Sequence, residues 1–113
     1  MKNNELLKAV YKAIDDKFGA DTVILDISNL STMADYFVIT NGNNPNQVKA
    51  IADEVRETCH KNNIKINHSE GYDTATWILL DFNDIIVHVF NKEDRDFYNI
   101  ERVWADATTI KLE

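Results

Sequence analysis

The spacing of hydrophobic and polar positions changes along the chain, and each change marks an element. From residue 3 to 18 (NNELLKAVYKAIDDKF), Leu6, Leu7, Val10, Ile14 and Phe18 recur at intervals of three and four, the spacing of one helical stripe. Asn3 or Asn4 can cap this helix and Gly19 can end it. TVILDI (22–27) is apolar and β-branched, the signature of a buried strand. SNLSTMADY is polar and turn-like, and YFVIT (36–40) reads as a second strand. In NGNNPNQ (41–47), Gly42 permits a positive φ, Asn43 or Asn44 can cap a helix, and Pro45 suits its first position. That second helix runs to about Asn62, with Val48, Ile51, Ala52, Val55 and Cys59 on its apolar face. IKI (64–66) follows as a short strand, and the order strand, helix, strand predicts a parallel crossover.

TWILLDF (76–82) and DIIVHVF (84–90) predict a hairpin, with Asn83-Asp84 as a type I′ turn. Side chains alternate across strands, so the hairpin has two faces. Ile78, Leu80, Phe82, Ile85, Val87 and Val89 form a wholly apolar face suited to packing on the helices. Trp77, Leu79, Asp81, Ile86, His88 and Phe90 form the other, which mixes aromatic rings with a carboxylate and an imidazole. A two-residue turn sets Leu79 opposite His88 and Trp77 opposite Phe90. The mixed face has the makeup of a protein–protein interface centre. The pattern equally allows a second layer over it, with His88 hydrogen-bonded inside and Phe97, Tyr98 and Trp104 doing part of the covering. The remaining residues, 91–113, read as a short helical turn and a partly exposed tail, in which TTIKLE either adds an edge strand or stays loose.

Composition narrows the function. With 113 residues and 44% hydrophobic content the chain can bury one core, which places it in a single domain spanning 1–113. The opening MKNNELLKAV lacks a charged-then-apolar signal pattern, and no apolar run approaches the roughly 20 residues of a membrane helix. One cysteine allows no internal disulfide, and a reducing, cytoplasmic setting is expected. The net charge of −7 is unevenly spread: residues 1–68 carry 9 acidic and 8 basic side chains, and residues 69–113 carry 10 and 4. Such an acidic segment repels phosphate backbones and favours a basic protein partner.

Catalytic patterns are weak. Asp94 and Asp96 sit in the charged run KEDRD, and Asp81 and Asp84 flank the hairpin tip, where turn chemistry accounts for them. Cys59 and His60 are adjacent on a helix and point to different sides. NGNNP could hold an anion at a helix start, but capping explains the same residues. No nucleophile-elbow, P-loop or dinucleotide-binding glycine motif is present.

Four stretches, DISNLSTMADYFVITNGNN (26–44), QVKAIADEV (47–55), EGYDTATWILLDFNDIIVHVF (70–90) and RDFYNIERVWADA (95–107), carry a resemblance to the Iojap family of ribosomal silencing factors. They follow the family's order and spacing. Two departures are visible: Asn44-Pro45-Asn46 stands where the family usually has Ser-x-Arg, and Asn83-Asp84 where it often has Gly-Asp. The first removes a positive charge from the helix start.

The resemblance implies an α/β domain with a mixed sheet of about five strands packed with helices, distantly similar to nucleotidyltransferases. It implies a translational repressor that binds the large ribosomal subunit through ribosomal protein uL fourteen and sterically blocks joining of the small subunit under nutrient limitation. It implies no enzymatic activity, cofactor or metal. On this reading Trp77 is an apolar anchor with Tyr98 beside it, Glu70, Asp73, Asp81 and Glu101 are charge partners for lysine or arginine, and His88 is a polar contact. Two other classes stand beside it: a homodimer in which the mixed face pairs with itself, and a minimal metal-dependent nucleotidyltransferase using Asp35, Asp81 or Asp84.

Overall fold

A computed structural model describes residues 3–112. Helix α1 spans Asn3–Asp16 and buries Leu6, Leu7, Val10, Ala13 and Ile14. Its stripe stops one turn short of the expected length. Phe18 adopts the left-handed region (φ 61°), and its N–H reaches the Asp15 carbonyl while that of Gly19 reaches Ile14. This is a Schellman closure with phenylalanine in the left-handed position. The turn throws Phe18 off the stripe, and it is 82% exposed rather than in the core.

Strand β1 (Ala20–Asp26) leads through a polar loop to β2 (Tyr36–Gly42). Helix α2 (Pro45–Lys61) then starts as its sequence dictates: the Asn44 side chain accepts from the Gln47 N–H at 2.9 Å, and Pro45 opens the first turn. Gly42 does not take a positive φ; its use is clearance, since a Cβ there would lie 3.1 Å from the Val48 nitrogen. After α2, residues 64–66 form no strand. Ile64 and Ile66 instead pack half-buried against the helical core, and the strand is β3, His68–Glu70. Strands β4 (Trp77–Asp81) and β5 (Ile85–Asn91) form the hairpin. Short helices α3 (Lys92–Tyr98) and α4 (Ile100–Val103) follow, and β6 (Thr108–Ile110) closes the described chain as an edge strand on β1.

The sheet is mixed and has six strands in the order β3-β4-β5-β2-β1-β6. Only β2 and β5 pair in parallel. The parallel crossover therefore joins β2 to β5, with β3 and β4 intervening, and not β2 to the segment straight after α2. The hairpin register is as expected, with Trp77 opposite Phe90 and Leu79 opposite His88. Its turn is not type I′: of the two turn residues Asn83 alone has positive φ (72°), the Asp84 N–H donates to the Phe82 carbonyl at 3.1 Å as in a γ-turn, and the Asp81 side chain accepts from the Asn83 N–H at 2.8 Å.

One face of the sheet carries Ile78, Leu80, Phe82, Ile85, Val87 and Val89 and packs on α1 and α2, forming the larger core. The other face carries a second, smaller core of Leu25, Ile27, Ala34, Phe37, Ile39, Ile86 and Phe90. Ile100, Trp104 and Ala107, from the segment after β5, pack against it. Residues 92–107 thus act as a strap across the β5-β2-β1 half of that face.

Candidate interaction surface

Strand pairing arranges the second face in rows. One row runs Trp77, Phe90, Asn41, Ala20; the next runs Glu70, Leu79, His88, Ile39, Val23; the third runs His68, Asp81, Ile86, Phe37, Leu25. The strap covers the β5-β2-β1 end of these rows. At the β3-β4 end Leu79, Trp77 and Asp81 are half-buried and Glu70 is exposed. Asp73 is exposed in the loop that leads into Trp77.

That loop is held tightly. Gly71 has φ 83°, and a Cβ on it would collide with the Trp77 carbonyl oxygen. Tyr72 donates its hydroxyl to Asp53 of α2 at 3.1 Å, and the Thr76 carbonyl accepts from the Asn91 N–H at 2.9 Å. Trp77 is therefore fixed from both sides.

Aromatic contacts then run without a break from the exterior to the interior. Phe97, 80% exposed, meets Tyr98 edge-on at 5.2 Å between ring centroids. Tyr98 lies on Trp77 at 4.9 Å, and Trp77 stacks on Phe90 at 4.9 Å. His88 meets Phe37 edge-on at 4.6 Å, and Phe37 meets Trp104 at 5.1 Å.

His88 is only 4% exposed, so it is an interior residue and its ring does not reach the surface as a polar contact. The Trp77 indole N–H donates to its Nδ1 at 3.1 Å, while Nε2 is buried with no hydrogen-bond partner among the described residues. Burial pushes its pKa down to about 4, so the ring is neutral at pH 7. Glu101 is also engaged within the chain. It accepts from Arg95 Nε at 2.9 Å, and Arg95 Nη1 donates to Asn41 Oδ1 at 2.9 Å and to the Ala20 carbonyl at 3.3 Å. Of the seven expected contact residues, His88 alone is buried; Glu70, Asp73 and Tyr98 are exposed, and Trp77, Asp81 and Glu101 are half-buried, Glu101 with its carboxylate paired to Arg95. Sequence reasoning did not single out Phe97 as an outward aromatic or Arg95 as an interior one. The β-sheet partners of Arg95 lie more than 50 residues away in sequence, and no local spacing signals them.

The groups invoked for chemistry are placed otherwise. Cys59 is fully buried and burial raises its thiol to about 11, leaving no thiolate. Among the described residues no three histidine, cysteine or acidic side chains are grouped to hold a metal. Asp35 and Asp84 meet through backbone, the Asp35 N–H donating to the Asp84 carbonyl at 2.9 Å. An open groove of about 780 Å³ lies on the helical side, lined by Asp53, Arg56, Glu57, His60 and residues 63–66, and is of mixed charge. No described helix is long and apolar enough to cross a membrane.

The fold and this surface define a small mixed-sheet α/β protein with an acidic and aromatic exterior. The family model described as "Ribosomal silencing factor during starvation" matches residues 1–113. The ribosomal silencing factor RsfS of Bacillus subtilis is 42% identical over 113 residues, covering 100% of this chain and 96% of that protein. The chloroplastic Iojap protein of Zea mays is 31% identical over 101 residues, 89% of this chain and 44% of that one. A crystal structure from Chromobacterium violaceum superposes with a TM-score of 0.91 at 33% identity, covering 93% of this chain and 88% of that one. The chain belongs to the RsfS (Iojap) family of ribosomal silencing factors.

Proposed function

We propose that this protein is a cytoplasmic translational repressor that binds the large ribosomal subunit through ribosomal protein uL fourteen and prevents the small subunit from joining. The family match along the whole chain carries this reading. The surface supports it: an open strip with Leu79, Trp77 and Tyr98 is flanked by Glu70, Asp73 and Asp81, which suits a basic protein with apolar contacts. The mechanism is occlusion by a bound mass. It requires neither turnover nor a cofactor.

The test is co-sedimentation of the purified protein with large subunits, followed by addition of small subunits. Wild-type protein is expected to pellet with large subunits and reduce joined ribosomes. Tyr98→Ser, which removes an exposed ring without opening the core, should weaken binding by about 2 kcal/mol if it is a hot spot. Failure of the wild type to bind cognate large subunits at physiological salt overturns the reading.

A further inference from the structure

Arg95 occupies an unusual position. It lies in KEDRD, an otherwise solvated charged run, yet it is 8% exposed. A buried guanidinium persists only where its donors are used. Its fork spans three separate parts of the chain: Glu101 at the start of α4, Asn41 near the end of β2, and the carbonyl of Ala20 at the start of β1. Asn41 and Ala20 are neighbours in one row of the second sheet face, and Trp77 and Phe90 continue that row. Arg95 therefore ties the strap to the row that ends in Trp77. Three residues on, Tyr98 lies on that tryptophan, and Phe97 stands outward beside it.

Ile100 and Trp104 anchor the strap further along, but within α3 itself little besides Arg95 and the half-exposed Tyr98 reaches the sheet. Its N-cap Asn91 makes no side-chain capping bond, and no apolar residue of α3 is buried. Between α3 and α4 the chain turns at Asn99 in the left-handed region (φ 44°), and Asn99 N–H donates to the Arg95 carbonyl. Arg95 thus fixes both the helix and the turn after it, by side chain and backbone together.

We infer that Arg95 is a positioning residue for the docking surface, holding the strap so that Tyr98 and Phe97 are presented to the partner, and that Glu101 acts through Arg95 and does not touch the partner. This rests on the docking function proposed above. A partner that needs the strap in place binds only the fraction of molecules that have it there. Loosening the strap lowers affinity in that proportion. Arg95→Met leaves the Glu101 carboxylate unpaired and Glu101→Gln leaves the guanidinium unpaired, so the two variants shift the net charge by one unit in opposite directions, and a loss of affinity common to both is not a charge effect.

The experiment compares wild type, Arg95→Met, Arg95→Lys and Glu101→Gln. It measures amide hydrogen exchange of the free proteins, affinity for large subunits across a salt series, and the urea midpoint. In Arg95→Met, amides of residues 95–104 should exchange faster while those of β2 and β5 stay protected, and affinity should fall on the order of tenfold. The loss should persist at high salt, where the one-unit change in charge is screened, and Arg95→Lys should recover part of it. Glu101→Gln should show the same changes at smaller size, and decides the matter if Arg95→Met does not fold. Faster strap exchange with wild-type affinity overturns the positioning role while leaving the docking function intact. Weaker binding with unchanged exchange and a shallower salt slope means these side chains contact the partner directly, and also overturns it. If the wild type itself does not bind, the docking function falls and this role with it.

Discussion

The Trp77 indole N–H donates to His88 Nδ1 across the β4-β5 pair at 3.1 Å. His88 thereby accepts at Nδ1 and carries its proton on Nε2, the neutral tautomer. The Trp77 indole thus depends on a histidine that must not be charged, since an imidazolium has no lone pair for its N–H.

Acid should therefore destabilise the protein through His88. Burial lowers its pKa from 6.5 to about 4. Between those values the unfolded chain takes up a proton that the folded chain refuses, so this contribution is present above pH 6.5 and is lost as pH falls towards 4. From pH 7 to pH 5 the loss is roughly 2 kcal/mol. Urea midpoints for wild type and His88→Phe at both pH values isolate it. The variant should lose less stability on acidification, and equal losses would refute the assignment.

Gly71 is expected to tolerate no side chain. It has a positive φ, and a Cβ would collide with the carbonyl of Trp77. Gly71→Ala should cost at least about 1–3 kcal/mol in urea unfolding. The loop would have to move, so tryptophan fluorescence of the native state should shift as well. An unaltered midpoint would show that the loop relaxes freely.

The hairpin was the most legible part of the sequence because two local rules agreed there. Period-two alternation assigned the faces, and a two-residue turn fixed the register. Where only one rule applied, reading failed. Ile64 and Ile66 alternate because they pack, not because they pair, while the real edge strand His68–Glu70 is short and polar, as exposed edges are. Phe18 continued a helical spacing that the backbone had already left. His88 was correctly placed on the mixed face, but it is covered through a strap held by the packing of Ile100, Trp104 and Ala107 and by the bonds of Arg95, and long-range contacts of that kind leave no local pattern.

Phe18 offers a way to stabilise the fold. A phenylalanine in the left-handed region at a Schellman closure bears strain that glycine avoids, and its ring is 82% exposed. Phe18→Gly should raise stability by about 0.5–1 kcal/mol, after the added unfolded-state entropy is counted. Thermal unfolding measures this. A lowered melting temperature would mean that the ring makes a stabilising contact in solution.

Charge reversal on the open strip tests the sign of the partner. Glu70 and Asp73 are both exposed, and neither carboxylate is needed inside the fold: Glu70 pairs only with exposed His68 at 3.0 Å. Glu70→Lys with Asp73→Lys should leave the urea midpoint within about 0.5 kcal/mol of wild type. If the partner surface is basic, the two lysines turn attraction into repulsion. Association with large subunits should then slow several-fold at low salt, dissociation should change less, and the difference from wild type should shrink as salt rises. Stopped-flow or surface-capture kinetics across a salt series would measure this. Faster association by the double variant would show that the strip meets phosphate or an acidic partner, and the basic-protein docking proposed for this face would be wrong.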